Sequence, residues 1–414
     1  MLRVVKLGGS TLATPQQVRR MALALAGLQK KNERVVAVVS AMGKTTDLLY
    51  EQLVGAAGDK VDPLDLEHFL SQGEWASAQL MTAALKALGR RAIAVTPWDK
   101  DWPLKIILKD KAVPLKEKAN EIRNFKLQPA SPKLIRQVLG GHLKAGVLPV
   151  VCGFVAKNQD DQVVTLGRGG SDVSAFLLAN VLKADEVILV KDVDGVLAWD
   201  PGLAKVSTQA KISVLKDREL YLLTSAGARV AHPGALRYMS HGSKARIVSS
   251  ESPNWTGGGT EVVKTRGTRL KRLGIRLAAL TFIGRDLTKT PGILHAISGP
   301  LKALGISIYS VTVSESFLAL YVPEKDIDKA YAALAGISNA VAEIKSSAVK
   351  KGLAKITVES QASIETPGTI ERLVRPLAQA GINIWELVTV HSDISFFVES
   401  SLEGRAIEVL KKVL

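Results

Sequence analysis

Arg3-Val4-Val5-Lys6-Leu7-Gly8-Gly9-Ser10-Thr11 decides how the N-terminal part of the chain is read. A short β-branched run ends in two glycines and two hydroxyl residues, and a helical pattern follows from Pro15 to Lys30. A strand that turns through glycines into a helix lets an anion approach the backbone closely. The N–H groups around Gly8, Gly9 and Ser10 can face phosphate oxygens, the following helix offers its positive end, and Lys6 adds a point charge. A lone Gly-Gly turn is more often only a turn, so the flanking sequence has to supply the context.

Outward from this stretch, roughly the first 250 residues alternate short apolar runs with longer helical patterns, the mark of strands joined by crossover helices. Candidate strands are Arg3 to Leu7, Arg34 to Ser40, Arg91 to Thr96, Val147 to Gly153, Glu186 to Lys191 and Ala245 to Ser249. The fold class expected is α/β with a mainly parallel sheet. Two more Gly-rich elements fall at strand ends. In Thr165-Leu166-Gly167-Arg168-Gly169-Gly170-Ser171-Asp172, Arg168 can fork onto a carboxylate, while Ser171 or Asp172 can cap the helix Val173 to Leu182. Capping explains the Ser and the Asp but not an Arg among three glycines. In Val190-Lys191-Asp192-Val193-Asp194-Gly195-Val196, the alternate acids Asp192 and Asp194 can orient a magnesium nucleotide or position the phosphate-binding lysine, or else form an Asx-turn without chemistry. Open α/β sheets bind ligands at the carboxyl ends of their strands, so the three elements are expected to share one site.

The pattern ends at Trp255-Thr256-Gly257-Gly258-Gly259-Thr260, and the basic segment Lys264 to Arg276 reads as a linker. An internal repeat follows at an offset of 76 residues: Thr290-Pro291-Gly292 recurs as Thr366-Pro367-Gly368, and Gly305-Ile306-Ser307-Ile308 as Gly381-Ile382-Asn383-Ile384. Each repeat reads strand, Pro-Gly turn, helix, strand, strand, helix, a small α+β module. The helix start beside each Thr-Pro-Gly turn can receive the carboxylate of a small ligand, although the glycine accounts equally for the turn alone. The domains expected are 1–263, 278–347 and 353–414, the last either following the second or nested with it.

At 414 residues the chain is too long for one ordinary core. Its net charge of +16 invites a nucleic-acid partner, but the Lys and Arg residues are scattered and not interleaved with aromatics, so none is expected. The lone Cys152, in an apolar run, forms no intrachain disulfide and reads as buried. No leader or membrane-spanning stretch is evident, so no membrane partner and a cytoplasmic location are expected.

With these motifs in this order, the chain resembles the aspartokinase family over nearly its whole length. The family's opening motif stands as Lys6-Leu7-Gly8-Gly9, its second as Ser40-Ala41-Met42-Gly43-Lys44-Thr45-Thr46, its third as Leu70-Ser71-Gln72-Gly73-Glu74, followed by Gly167 to Asp172, Asp192 to Val196 and Asp200-Pro201. The repeats resemble paired ferredoxin-like ACT modules. The resemblance implies an amino-acid kinase domain that uses ATP and Mg2+ to phosphorylate the side-chain carboxylate of L-aspartate, giving 4-phospho-L-aspartate for lysine, threonine and methionine biosynthesis. It places Lys6, Gly8, Gly9, Ser10, Lys191, Asp192, Asp194, Arg229 and Val230 on the nucleotide, and Ser40, Thr46, Glu74, Arg168, Ser171 and Asp172 on the substrate. Lys6, Asp192 and Arg229 take the catalytic roles, and Mg2+ arrives on ATP instead of on protein ligands. An amino-acid effector at the ACT modules and a homodimer are implied too. The chain departs from the family at Leu197, where an aromatic is usual, at Gly202, where Arg is usual, at Arg229, where Lys is usual, and at Tyr309, where an acid is common in lysine-sensitive relatives. These departures keep two alternatives open: an amino-acid-sensing subunit of low or no activity, and a kinase for another carboxylate.

Overall fold

A computed structural model describes residues 1–30, 33–109, 122–199, 210–228, 230–240, 242–264, 269–359, 368–390 and 393–414. It divides into two units, Met1–Arg266 and Gly267–Leu414.

In the first unit the apolar runs become strands β1 (Leu2–Leu7), β2 (Arg34–Val39), β3 (Ala92–Val95), β4 (Leu148–Cys152), β5 (Glu186–Lys191), β6 (Val214–Lys216), β7 (Lys244–Ser249) and β8 (Thr260–Val263). They form one eight-stranded sheet in the order β6-β8-β7-β5-β1-β2-β4-β3. The six strands read from the sequence are six neighbours in it, joined by parallel ladders throughout. Every residue of β1 is buried, and β4 likewise. A parallel sheet is covered on both faces, which is why these strands read as continuous apolar runs and not as an alternation. Cys152 ends β4, fully buried, and burial pushes its thiol well above the usual range. The edge differs from the sequence reading. The stretch taken to end the pattern runs into β8, antiparallel to β7, and β6 pairs on its far side.

Helices α1 (Pro15–Lys30), α2 (Thr45–Ala57), α3 (Pro63–Leu70), α4 (Gln72–Ala87), α5 (Ser131–Lys144), α6 (Gly170–Leu182) and α7 (Asp217–Ser225) accompany this sheet. α6 is buried from Gly170 to Ala179, so it reads as apolar all round instead of amphipathic. At the amino ends of the strands, buried Glu186 accepts from Arg3 Nε at 2.9 Å and from Arg246 Nε at 2.8 Å, pinning β1, β5 and β7 together. Such a pair contributes register more than net stability.

In the second unit the segment expected to be a linker contains strand β9 (Arg269–Arg272). Two ferredoxin-like modules follow. The first is β10 (Leu277–Gly284), α8 (Ile293–Ala303), β11 (Ser310–Val313), β12 (Phe317–Pro323), α9 (Ile327–Leu334) and the first half of β13 (Ile344–Glu359). Ile293, Ile297 and Leu301 of α8, at helical spacing, pack on Ala278, Leu280 and Phe282 of β10. The second half of β13 begins the other module, with α10 (Thr369–Gln379), β14 (Glu386–Val390), β15 (Asp393–Glu399) and α11 (Glu403–Lys411). Residues 344–353 of β13 pair with β10, whereas residues 353–359 pair with β15 on one side and 356–359 with β9 on the other. β9 therefore supplies the fourth strand of the C-terminal module from ahead of the first, so the first is nested within the second. The 76-residue repeat carries no trace of this because β9 lies outside it. On the sheet face away from the helices, Tyr321 and Phe397 bring rings from both modules to 3.9 Å between centroids, among Leu277, Ala279, Ala319 and Leu353.

A proline at 271, which like Leu273 faces β13 at a hydrogen-bonded pair, removes a ladder donor from β9. Lys271→Pro is expected to raise hydrogen exchange at Ile356 to Glu359 without affecting residues 277–284, and unchanged protection along the second half of β13 would refute the nesting.

Candidate active site

The strand ends gather where the sheet order predicts. Beyond β1, Gly8 donates its N–H to Val190 O at 3.4 Å, and beyond β2, Ser40 donates to Leu7 O at 3.2 Å and Gly43 to Gly9 O at 2.9 Å. The loops touch backbone to backbone: a Cβ on Gly9 would sit 2.7 Å from Ala41 O, and one on Gly153 would sit 2.8 Å from Ser171 Cβ. These glycines are thus required by close approach. The helix expected from Pro15 to Lys30 lies there, and a single 3-10 turn, Gly9–Leu12, stands between it and Gly8. An anion here would meet Lys6 and loop N–H groups, not the dipole of a long helix.

Two buried charges and a half-buried one form the centre. Lys6 Nζ lies 2.7 Å from Asp172 Oδ1, and Lys191 Nζ lies 3.5 Å from Oδ2. The backbone N–H of His232 donates to Oδ2 at 3.2 Å. The side chains of Lys6, Lys191 and Asp172 are only 7%, 15% and 4% exposed. Burial opposes the Asp172 carboxylate, but the ammoniums of Lys191 and Lys6 outweigh it and hold its pKa well below the usual range. Burial lowers Lys6 to about 8, with Lys191 adding repulsion and Asp172 resisting. Asp172 does not cap α6 as the sequence suggested: the cap position is Gly169, left-handed at φ 75° and without a side-chain cap. A Cβ there would fall 2.4 Å from that of His232. Capping is thereby removed as the explanation for Asp172.

Glu74, in the first turn of α4, is the second feature. Its Oε1 accepts from Ala41 N–H at 3.0 Å, whereas its buried Oε2 has no hydrogen-bond partner among the described residues. Burial raises its pKa to about 8, against the Ala41 hydrogen bond and the nearby charge of Lys6. A buried acceptor left open beside the strand ends is suited to a cationic donor.

The remaining candidates divide. Ser40 and Thr46 are half-buried, Thr46 in the first turn of α2; Ser171 is buried against Gly153; Arg168 is exposed on the loop before α6; Ser10 is exposed and Val230 buried. Asp192 is exposed, and Asp194 is bound at the surface by Lys211 at 2.8 Å, so Asp172 is the acid that holds Lys6. Gly195 (φ 86°) is needed because Thr260 Oγ1 would lie 2.6 Å from its Cβ. Leu197 is half-buried and Trp199 is exposed. Arg229, Asp200, Pro201 and Gly202 lie outside the described residues. Sequence reasoning missed the His232 N–H as a support of Asp172.

The model of the amino acid kinase family matches residues 1–249. The chain belongs to that family. The ACT domain model matches residues 273–336 and 348–412 of this amino acid kinase. It is 26% identical to aspartokinase 2 of Bacillus subtilis over 415 residues, covering 99% of this chain and 96% of that protein. Against an aspartokinase of Thermus thermophilus it is 26% identical over 433 residues, 99% of this chain and 97% of the other. Among solved structures, aspartate kinase from Synechocystis superposes with a TM-score of 0.72 at 25% identity, over 100% of this chain and 69% of that one. Aspartokinase III of E. coli, in complex with aspartate and ADP, shares the fold at a TM-score of 0.55 and 22% identity, with 100% of both chains covered.

Proposed function

We infer that this kinase phosphorylates the side-chain carboxylate of L-aspartate with ATP. The observation that carries this is the open Oε2 of buried Glu74 beside the Lys6, Lys191 and Asp172 cluster. Glu74 meets the α-ammonium of the amino acid, and Ser40, Thr46, Arg168 and Ser171 line its approach, Arg168 forking onto a carboxylate. Lys6 and the N–H groups of Gly9 and Ser10 meet the phosphates beside Gly8, whose own N–H is taken by Val190, with Lys191, Asp192, Asp194, Arg229 and Val230 on the nucleotide side. Aspartokinase relatives spanning 99% of the chain support the choice of aspartate.

A carboxylate oxygen forms the new bond to the γ-phosphorus while the bond to the bridging oxygen breaks, its electron pair leaving on ADP. The nucleophile is already ionised, so positioning and charge neutralisation suffice without a general base. Magnesium enters with the nucleotide; among the described residues no group of three His, Cys, Asp or Glu side chains is placed to hold a metal. The nested ACT modules receive an amino-acid effector, and the exposed apolar Ile283, Val311 and Phe317 of the first suit contact with a second copy of the chain. No helix among the described residues is long and apolar enough to cross a membrane.

The test is to trap the acyl phosphate with hydroxylamine after incubation with MgATP and aspartate, beside Arg168→Ala. Aspartyl hydroxamate is expected from the natural chain and a loss of about 10²-fold or more from the variant. Folded protein that yields none sinks the reading, and product from another carboxylate in its place redirects it.

A further inference from the structure

We propose that Lys191 is a second phosphate-neutralising lysine, held beside Lys6 by their shared counter-ion Asp172 and turned onto the transferring phosphoryl group when nucleotide binds. This rests on the kinase reading above.

The pairing of β1 and β5 places Lys6 opposite Leu189. Lys191 is two residues further along β5, and side chains alternate with a period of two, so both lysines rise from the same face of the sheet. They converge on one carboxylate, Lys6 at 2.7 Å and Lys191 at 3.5 Å. That carboxylate also accepts the N–H of His232 at 3.2 Å, on the oxygen that faces Lys191.

The charges do not balance. One buried and one half-buried ammonium face a single buried carboxylate at the start of α6, whose own N-terminus is positive. The other acids nearby do not cancel the excess. Glu74 feels Lys6, but burial keeps it largely protonated at neutral pH, with a pKa of about 8. Asp192 is exposed and makes no ion pair with Lys191 among the described residues, and Asp194 is engaged by Lys211. An uncompensated buried cation costs free energy, and it persists where an anion is to arrive. Lys6 Nζ lies 3.9 Å from where a Gly8 Cβ would be, so the excess charge sits at the glycine turn expected to meet phosphate. Of the two, Lys191 has the longer contact and is the one freer to turn away from Asp172. Neither lysine gives up a proton: both only neutralise charge as the phosphorus passes between oxygens.

The experiment uses the full chain with Lys191→Met and Lys191→Arg. Hydroxamate formation should fall about 100-fold in kcat for Met, with the KM for aspartate within about threefold, and Arg should recover part of the loss. Thermal stabilisation by inorganic tripolyphosphate should be clear for the natural chain and for Arg, and lost for Met. Unchanged kcat and unchanged tripolyphosphate stabilisation in Lys191→Met overturn the proposal. Equal losses in Met and Arg, with tripolyphosphate stabilisation retained in both, overturn it too by reducing Lys191 to a structural counter-ion. If the natural chain forms no hydroxamate, the kinase reading has failed, and tripolyphosphate binding still decides whether Lys191 receives anions.

Discussion

Glu74→Gln is expected to remove most aspartate turnover while making the protein more heat-stable at alkaline pH. The two effects have one origin. Oε1 can still accept from Ala41 in the amide, so the local geometry survives, but the charge that meets the substrate ammonium is gone. Losing one partner of a buried charged hydrogen bond costs about 2–5 kcal/mol, so kcat/KM for aspartate should fall by roughly 10²–10³-fold. Stability moves the other way. Glu74 ionises near 4.5 in the unfolded chain and at about 8 when folded, so folding stability is lost as pH rises between those values. At pH 8.5 the substitution should relieve about 2–4 kcal/mol, and at pH 4.5 almost nothing. Melting temperatures from pH 4.5 to 9 test this, and curves that run parallel for both proteins would exclude a buried, open carboxylate.

The same groups shape the pH profile of the natural chain. The proposed role of Glu74 needs it ionised, so kcat/KM should climb with pH towards about 8, and Lys6 loses its proton above about 8. Glu74 and Lys6 feel each other, so the two limbs belong to the pair and not to either residue. A profile that is flat from pH 6 to 9 would contradict this.

Much of this was legible in the sequence for identifiable reasons. The six parallel strands are buried on both faces, and such strands announce themselves as apolar runs bounded by glycine. β8 escaped because it is short and follows glycines that read as an ending, and β6 because it is an edge strand of three residues. β9 escaped for a different cause: Arg269 to Arg272 is a basic strand whose partner lies more than 80 residues away, and only tertiary pairing makes it one. At the site, Lys6 and Arg168 could be picked out by type and position, and Glu74 only through the family resemblance. The role of Asp172 could not, because an acid in the first turn of a helix has a local explanation that needs no distant partner. Its partners come from β1, from β5 and from the backbone at His232, three places that no spacing connects.

That difference makes Asp172→Asn the sharper test of the charge cluster. Asparagine keeps the shape and can still accept the N–H of His232, but it leaves Lys6 and Lys191 facing each other without a counter-ion. Breaking a buried pair from one side costs about 3–5 kcal/mol, which for a unit of this size lowers the melting temperature by roughly 6–20 °C near pH 7. The penalty has a direction in pH. Lys6 already titrates at about 8, and without Asp172 its proton is held more weakly still, so raising the pH lets Lys6 shed the charge that makes the variant unstable. The gap to the natural chain should therefore narrow from pH 7 to pH 9, and tripolyphosphate should narrow it at pH 7 by replacing the missing negative charge. Catalysis should fall with it, because a lysine that is neutral at working pH no longer stabilises the phosphoryl group. A gap that widens with pH, or one that tripolyphosphate leaves untouched, would mean that Asp172 supports the fold through its hydrogen bonds and not through the two ammoniums it holds.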